Sequence, residues 1–290
     1  MNCYNKKKII FFLPGENLQM RLNGALATVL ALSACTAAST AEPLAASGCS
    51  ISMTGYLNEM VKAYEKETGQ KILLRGGGSY VGLAELGADR VDFAASCKSP
   101  GPDDPRNLRY IPVAWDALVF IVNPANPVGS ITPRQIQDIY EGRVTSWKAM
   151  GGPDLPIKSF ISTPVGMAGI GESLGKYILA GKRPQATGNS SMQSASVALW
   201  EQMVEKDPEG FASTGFDSAQ KRHVKMLAVN GVVPTRAAII SGRYPFKRQL
   251  WLVTTAEARP EVNAFIKFAL SPKGQELIAA NGVPPLASIR

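Results

Sequence analysis

The stretch Gln137–Gly152 reads Q-D-I-Y-E-G-R-V-T-S-W-K-A-M-G-G, and two further segments of the same character follow it at long spacing. The first is V-N-G-V-V-P-T at Val229–Thr235, which runs on to G-R-Y-P-F-K-R-Q-L-W-L-V-T-T at Gly242–Thr255. The second is F-A-L-S-P-K-G-Q-E-L-I-A-A-N-G at Phe268–Gly282. Around these segments, short apolar runs alternate with helical patterns and no internal repeat occurs after Cys35, which predicts an α/β fold.

Three short apolar runs near the start of the chain each end in small or polar residues. They are Leu44–Ser47, Lys71–Leu74 and Val91–Ala95, and we expect each to form a buried strand. A helix with apolar residues at i, i+3, i+4 and i+7 follows the first strand, and Gly69 ends it. Open α/β sheets bind ligands where their strands end, so these ends form the candidate site.

Two later strands are expected to connect a first lobe to a second one. Tyr110–Val122 leaves the first lobe and Gln249–Thr254 returns to it, and a helix broken near Ser271-Pro272 follows. The predicted architecture has two lobes, each a mixed, mostly parallel sheet flanked by helices, joined by two hinge crossings. Lobe 1 comprises residues 36–115 and 250–290, and lobe 2 comprises residues 116–249.

Residues 1–35 have the pattern of an export signal. Basic residues precede the apolar run Ala25–Leu32, which ends in L-S-A-C at Cys35 and is too short to span a membrane as a helix. Met20 is an alternative start. Resemblance to bacterial lipoproteins implies cleavage before Cys35 and its acylation, which would tether a soluble body to a membrane. Removing these residues lowers the formal charge from +8 to +5.

Composition excludes several classes of function. The chain has 290 residues, 45% of them apolar, and it lacks the blocks of Lys and Arg interleaved with aromatic residues that are typical of nucleic-acid binding. His223 is the only histidine, no G-x-S-x-G motif occurs, and no set of metal ligands is apparent. We therefore expect a monomeric binding protein without a cofactor or a metal rather than an enzyme.

Glycine-rich turns that lead into helices suit the binding of an anion. They point unpaired N–H groups and the positive end of the helix dipole at one place. Ser50 follows Gly48, and Ser79 follows G-G-G at Gly76–Gly78, so two such turns are expected in the first lobe. G-G-G-S alone is weak evidence, because glycine turns more often serve backbone geometry.

From Gly48 to Leu286 the chain resembles the phosphate-binding family of periplasmic solute-binding proteins. Besides the three opening segments, the landmarks are the turn after the first strand, Y-E-K-E-T-G at Tyr64–Gly69, G-G-G-S-Y-V-G at Gly76–Gly82, V-D-F-A-A-S at Val91–Ser96, and D-A-L-V-F-I-V-N-P at Asp116–Pro124. The resemblance implies a two-lobed protein that closes on a small solute or oxyanion and delivers it to an ABC permease.

The resemblance also implies which residues contact the ligand. Ser50, Ile51 and Ser52 lie where the family's first loop donates N–H and hydroxyl groups, and Ser79 matches the serine after the glycines. The complete predicted ligand site comprises Ser50, Ile51, Ser52, Gly78, Ser79, Ser96, Cys97, Asp116, Ser162, Thr163, Gly166 and Met167.

The chain departs from the family's pattern at three places. Cys97 stands where the family has an acid that accepts the proton of phosphate, and a thiol is a weak acceptor. Ser162 stands at the position of an arginine, and Gly166-Met167-Ala168 replaces a Ser-Gly-Thr triplet. Each lost donor costs about 1–3 kcal/mol in a buried site, so tight binding of phosphate itself is not expected. Lys98 and Arg75 are the nearest substitutes for the lost charge, although each is expected to be a solvated surface residue.

Cys49 and Cys97 follow the first and third strands. In an exported protein a disulfide between them is the favoured prediction. The alternative is a reduced pair that binds a soft ligand such as arsenite or copper(I), with Met53 and Met167 nearby.

The transport function also has an alternative, which is a sensor or scaffold that reports ligand occupancy to a membrane partner instead of feeding a permease.

Overall fold

The computed structural model describes residues 42–162, 169–187, 191–194 and 197–286, and at 162, 191 and 194 it describes the backbone alone. The export signal at 1–35 and the lipidation site Cys35 lie outside these ranges. Within them, no helix combines the length and the apolar character that crossing a membrane requires.

Strands and helices alternate along the described chain. The strands are β1 (Leu44–Gly48), β2 (Ile72–Gly76), β3 (Phe93–Ser96), β4 (Leu108–Val122), β5 (Ser130–Ile131), β6 (Lys158–Ser162), β7 (Ser191–Ser194), β8 (Gly210–Gly215), β9 (Lys225–Met226), β10 (Ala228–Val229) and β11 (Lys247–Thr255). The helices are α1 (Ser50–Ser52), α2 (Asn58–Thr68), α3 (Ser79–Gly87), α4 (Pro133–Tyr140), α5 (Ile170–Tyr177), α6 (Val197–Lys206), α7 (Phe216–Ala219), α8 (Arg236–Ile240), α9 (Pro260–Leu270) and α10 (Pro272–Ala280). A π-helical turn, Met53–Leu57, joins α1 to α2, and a 3₁₀ turn spans Trp147–Met150.

The main sheet runs in the order β2-β1-β3-β11-β4-β8-β6-β7, with β9 paired to β4. Strands β2, β1 and β3 are mutually parallel, and so are β8, β6 and β7. Strands β11 and β4 pair with each other and with these two groups in antiparallel fashion. The mixed α/β architecture with two parallel groups of strands confirms the predicted fold class.

The long strands β4 and β11 are the crossings between the lobes. Strand β4 pairs with β11 over Leu108–Ala117 and then changes partner to β8 over Leu118–Val122. Gln249 and Trp115, where the crossings were predicted, face each other in the register of these two strands. The lobe limits themselves remain a prediction.

Aromatic side chains fill the core on both sides of the crossing. In the first lobe, Phe265 of α9 contacts Tyr64 of α2 and Phe93 of β3, with ring centroids 5.2 Å apart in each pair. In the second lobe, Phe120 of β4 stacks on Phe211 of β8 at 6.1 Å. Such pairs add specific geometry to hydrophobic burial, so the helices on each lobe have one packed orientation.

Local sequence signals explain where several helices begin. Thr132 and Gln135 form a capping box, and Pro133 occupies the first turn of α4, where its missing N–H costs nothing. Ser271 separates α9 from α10, and its hydroxyl accepts a hydrogen bond from the Gly274 N–H. The predicted break at Ser271-Pro272 is confirmed.

Close packing of α3 on β1 positions the first-lobe glycine turn. A Cβ on Gly82 would lie 2.6 Å from the Gly48 Cα and 2.7 Å from the Ser47 carbonyl oxygen. Gly48 itself has a φ of 134°, and a side chain there would collide with the Ala95 backbone. The helix therefore approaches the strand more closely than any other residue at position 82 would allow.

We predict that Gly82→Ala lowers the free energy of unfolding by about 1–3 kcal/mol, because overpacking outweighs the higher helix propensity of alanine. Chemical denaturation measures the change. Gly129→Ala is the matched control, since a Cβ there meets no atom within 4 Å. Equal stability of the two variants would contradict this account of the packing.

Candidate functional site

Helices from both lobes begin at the same crevice without side-chain caps. The residues that precede α1, α3 and α5 are Cys49, Gly78 and Gly169. The two glycines have no side chain to cap their helices, and no side-chain cap is formed by Cys49. Side-chain caps supplied by Thr132, Thr235 and Ser271 begin α4, α8 and α10, whereas α2, α7 and α9 also begin without one. The first-turn N–H groups at the crevice therefore remain available to an anion.

These helix starts meet around Cys97. The Cys97 N–H donates to the Ser79 hydroxyl at 3.0 Å, and the same hydroxyl lies 3.5 Å from the Cys97 sulfur. From the second lobe, Gly169 rests on Cys97 so closely that a side chain at this position would collide with the sulfur. The structure thus brings the predicted Gly78, Ser79 and Cys97 together with the start of α5.

The first loop contributes three predicted residues with different surroundings. Ser50 is partly exposed, and its hydroxyl lies over Gly76 in the glycine-rich turn. Ile51 and Ser52 are buried, and the Ile51 side chain packs against Gly215. The π-helical turn follows directly, and such turns frequently occur at functional sites.

Cys49 and Cys97 are free thiols in the structure, and both are buried. The Cys49 thiol donates a hydrogen bond to the Cys97 sulfur; together with the charge of Arg248 and the Ser79 hydroxyl, this lowers the pKa of Cys97 to about 7. Burial raises the pKa of Cys49. The disulfide that the sequence favoured is not formed in this structure. Instead, the Cys49 thiol lies beside Cys97, which loses its proton more easily.

A buried ion pair links the two crossing strands beside these thiols. Arg248 of β11 faces Asp116 of β4, and its Nε and Nη2 donate to the same carboxylate oxygen, Oδ2, at 2.8 and 2.5 Å. The other oxygen accepts the Asp217 N–H at the start of α7. Both oxygens of Asp116, a predicted ligand residue, are therefore engaged inside the protein.

Sequence reasoning missed Arg248. A signal was available, because Arg248, Leu250 and Leu252 occupy alternate positions of β11 and all three are buried. A cation on the apolar face of a strand requires a partner, and the partner proved to be Asp116.

A cavity of about 200 Å³ opens beside the thiol and the guanidinium. Residues of both lobes line it: Cys97, Ser99, Trp115, Glu172, Ser173, Lys176, Tyr177, Lys247, Arg248, Gln249 and Trp251. The Ser99 N–H donates to Glu172 across the crevice at 3.2 Å, and the Lys247 ammonium lies over the ring of Trp115. Lys176, Lys247 and the Asp116-paired Arg248 outnumber the carboxylates of Glu172 and Asp116, so the cavity carries a small excess of positive charge.

Other predicted residues lie apart from the ligand crevice or outside the described chain. Ser96 is buried, and its hydroxyl donates to the Lys98 carbonyl oxygen. Ser162 ends β6 in the second lobe with only its backbone described, and Thr163, Gly166 and Met167 lie outside the described residues.

Neither of the two proposed substitutes for the lost charge is free to act as one. The expectation that Lys98 is a solvated surface residue was wrong, because it is buried and pairs with Asp104 at 2.8 Å. Arg75 is exposed, as expected, and pairs with Glu85 at 3.1 Å. Arg248 is the cation that the structure places beside the thiols.

Comparison with known proteins places this geometry in a family. The family model of the PBP superfamily domain matches residues 34–273. The chain belongs to this superfamily. The phosphate-binding protein PstS of Borreliella burgdorferi is 27% identical over 252 residues, which cover 83% of this chain and 89% of that protein. PstS of Bacillus subtilis is 25% identical over 251 residues, covering 85% and 82%.

Solved structures of members of the PBP superfamily and their kin show the same fold. A proposed phosphate ABC transporter substrate-binding protein of Clostridium perfringens, solved with bound phosphate, superposes with a TM-score of 0.76 at 23% identity, covering 84% of this chain and all of that one. An ABC-type phosphate transport receptor of Vibrio cholerae gives a TM-score of 0.65 at 23% identity, with the same coverage of both chains.

The unequal thiol pair yields a spectroscopic prediction. Because the Cys49 S–H stabilises the Cys97 thiolate, far-ultraviolet thiolate absorbance should show one step with a midpoint at about pH 7. Cys97→Ser should remove the step, and Cys49→Ala should move it to higher pH. Difference spectra cancel the remaining cysteines, and a step that persists in Cys97→Ser would disprove the assignment.

Proposed function

We propose that this protein is the solute-binding component of an ABC permease and captures a small oxyanion without transforming it. The single observation that carries the proposal is the meeting of uncapped helix starts from both lobes at Cys97, beside the buried guanidinium of Arg248. Helix N-termini favour anions through their free N–H groups and their partial positive charge. An electropositive cavity adds long-range attraction for the same ligands.

Export and anchoring complete the proposed role. The signal pattern at 1–35 and the lipobox at Cys35 support a protein held outside the cytoplasm by an acyl chain, with a soluble body that contacts the membrane through its anchor alone. Lobe 1 at 36–115 and 250–290 and lobe 2 at 116–249 would then close around the ligand about the crossings of β4 and β11. The body would act as a monomer and present the closed form to the permease.

Phosphate is the first oxyanion to consider, since the PstS relatives of Borreliella burgdorferi and Bacillus subtilis are named phosphate-binding proteins. The replacement of an acid by Cys97 and of an arginine by Ser162 argues for a lower affinity than a site with those charges would have. Sulfate and phosphonates share a tetrahedral central atom that carries negatively charged oxygens, and they are the natural competitors.

A second candidate function rests on the thiols. Cys49 and Cys97 are in contact, buried and reduced in the structure, and two thiolates at one place suit a soft ligand such as arsenite or copper(I). In this role the protein would act as a sensor or scaffold for a membrane partner. Oxidation of the same pair to a disulfide after export is the competing chemistry, and it would abolish soft-ligand binding.

We expect calorimetric titration to show saturable binding of at least one of phosphate, sulfate and methylphosphonate, with an affinity that falls as salt rises. The experiment is run with and without reductant. If none of the three binds at millimolar concentration in either condition, the proposed oxyanion function is wrong. Binding of phosphate below micromolar concentration would instead overturn the argument from Cys97 and Ser162.

The soft-ligand function makes a different prediction. Arsenite should bind only with reductant present, and Cys97→Ser should abolish binding, because one of the two sulfur ligands is gone. Ser99→Ala, in the same loop, is the control that retains both thiols. Arsenite binding that survives in Cys97→Ser would exclude the thiol site.

A further inference from the structure

We infer that Arg248 supplies the fixed positive charge of the ligand site, with Nη1 as its donor to the anion, in place of the cation that Ser162 lacks. The inference rests on the proposed oxyanion function and names the residue that anchors the ligand. It is carried by the hydrogen bonding of the guanidinium and by its place in the crevice.

One nitrogen of the guanidinium has no hydrogen-bond acceptor. Nε and Nη2 both donate to Asp116 Oδ2, whereas Nη1 donates to neither oxygen of this carboxylate. Nη1 is buried, and no acceptor for it occurs in the part of the chain that the structure describes. The whole residue is 8% exposed. A buried, charged donor without an acceptor is costly, and an anion bound in front of it would remove that cost.

Arg248, whose Nη1 has no partner, lies at the wall of the crevice. Arg248 lines the same cavity as Cys97, and its charge acts on both thiols. Asp116 holds the guanidinium in place and engages its own second oxygen with the Asp217 N–H, so it is not free to take up the third donor. Arg248 is therefore a cation that Asp116 holds in place, and it lines the cavity together with Cys97, around which the three helix starts meet.

The thiolate of Cys97 and an anion compete for this charge. The titratable, charged and hydroxyl groups that act on Cys97 from the packed elements, or line the cavity with it, include Cys49, Tyr56, Ser79, Asp116, Glu172, Lys176, Tyr177, Lys247 and Arg248. An anion next to Nη1 repels the thiolate, so binding favours the protonated thiol and takes up a proton from solvent. A soft ligand bound through sulfur would release protons and have the opposite pH dependence.

The role of Arg248 in anion binding is tested by titrating phosphate and sulfate into the full chain and its variants. Asp116→Asn combined with Arg248→Gln replaces the ion pair with a neutral pair, and we expect it to lose about 10- to 100-fold in affinity. Arg248→Lys keeps a charge for Asp116 but lacks the forked donors, and it should lose a similar factor. Arg243→Gln removes an exposed charge from the loop before β11 and should bind like the wild-type chain.

Circular dichroism establishes folding, and Arg248→Lys decides the question alone if the double variant does not fold. Binding within about threefold of wild type in the folded Arg248 variants would overturn the inference, whereas a wild-type chain that binds neither anion would overturn the oxyanion function itself.

In a second experiment, the phosphate affinity of the wild-type chain is divided by that of Cys97→Ser, and this ratio should fall about tenfold from about pH 6 to about pH 8. Titration of phosphate cancels in this ratio, and a constant ratio would disprove the competition.

Discussion

The buried ion pair between Asp116 and Arg248 is the interaction on which the arrangement of the lobes and the site depends. The two residues face each other on the antiparallel strands that cross between the lobes, and the carboxylate also receives the first N–H of α7. Removing either partner alone would leave an uncompensated charge in the interior, at a cost of about 3–5 kcal/mol. The pair therefore cannot lose one partner without a large cost, and it lies where β4 and β11 connect the two groups of parallel strands.

Much of the fold could be predicted because its signals are local. The capping box at Thr132, the break at Ser271-Pro272 and the apolar runs that became β1 and β4 are all properties of a few neighbouring residues. The site was harder to predict, since its contents depend on contacts between distant segments. Arg248 is 132 residues from Asp116, and nothing near it in the chain shows that the two meet.

Lys98 illustrates the same limit from the opposite direction. Its position in a polar loop suggested a solvated charge, but the loop folds back so that Asp104 and the Ser99 carbonyl oxygen enclose the ammonium group. Burial of a charge follows from the tertiary path of the backbone, which local pattern does not encode. The same reasoning applies to the thiols: spacing placed them on neighbouring strand ends, whereas their unequal acidity arises from the contact between them, in which the Cys49 thiol lowers the pKa of Cys97 and its own pKa is raised.

The contact of Gly169 with the Cys97 sulfur has a practical consequence. The sulfur is shielded by the backbone of the opposite lobe, and Cys97 is only 7% exposed, so an alkylating reagent too large for the adjoining cavity would reach it when the two halves separate. The rate of alkylation at saturating reagent then equals the frequency with which the halves come apart. The alkylation rate of Cys97 would thus measure how often the crevice opens, without any added label.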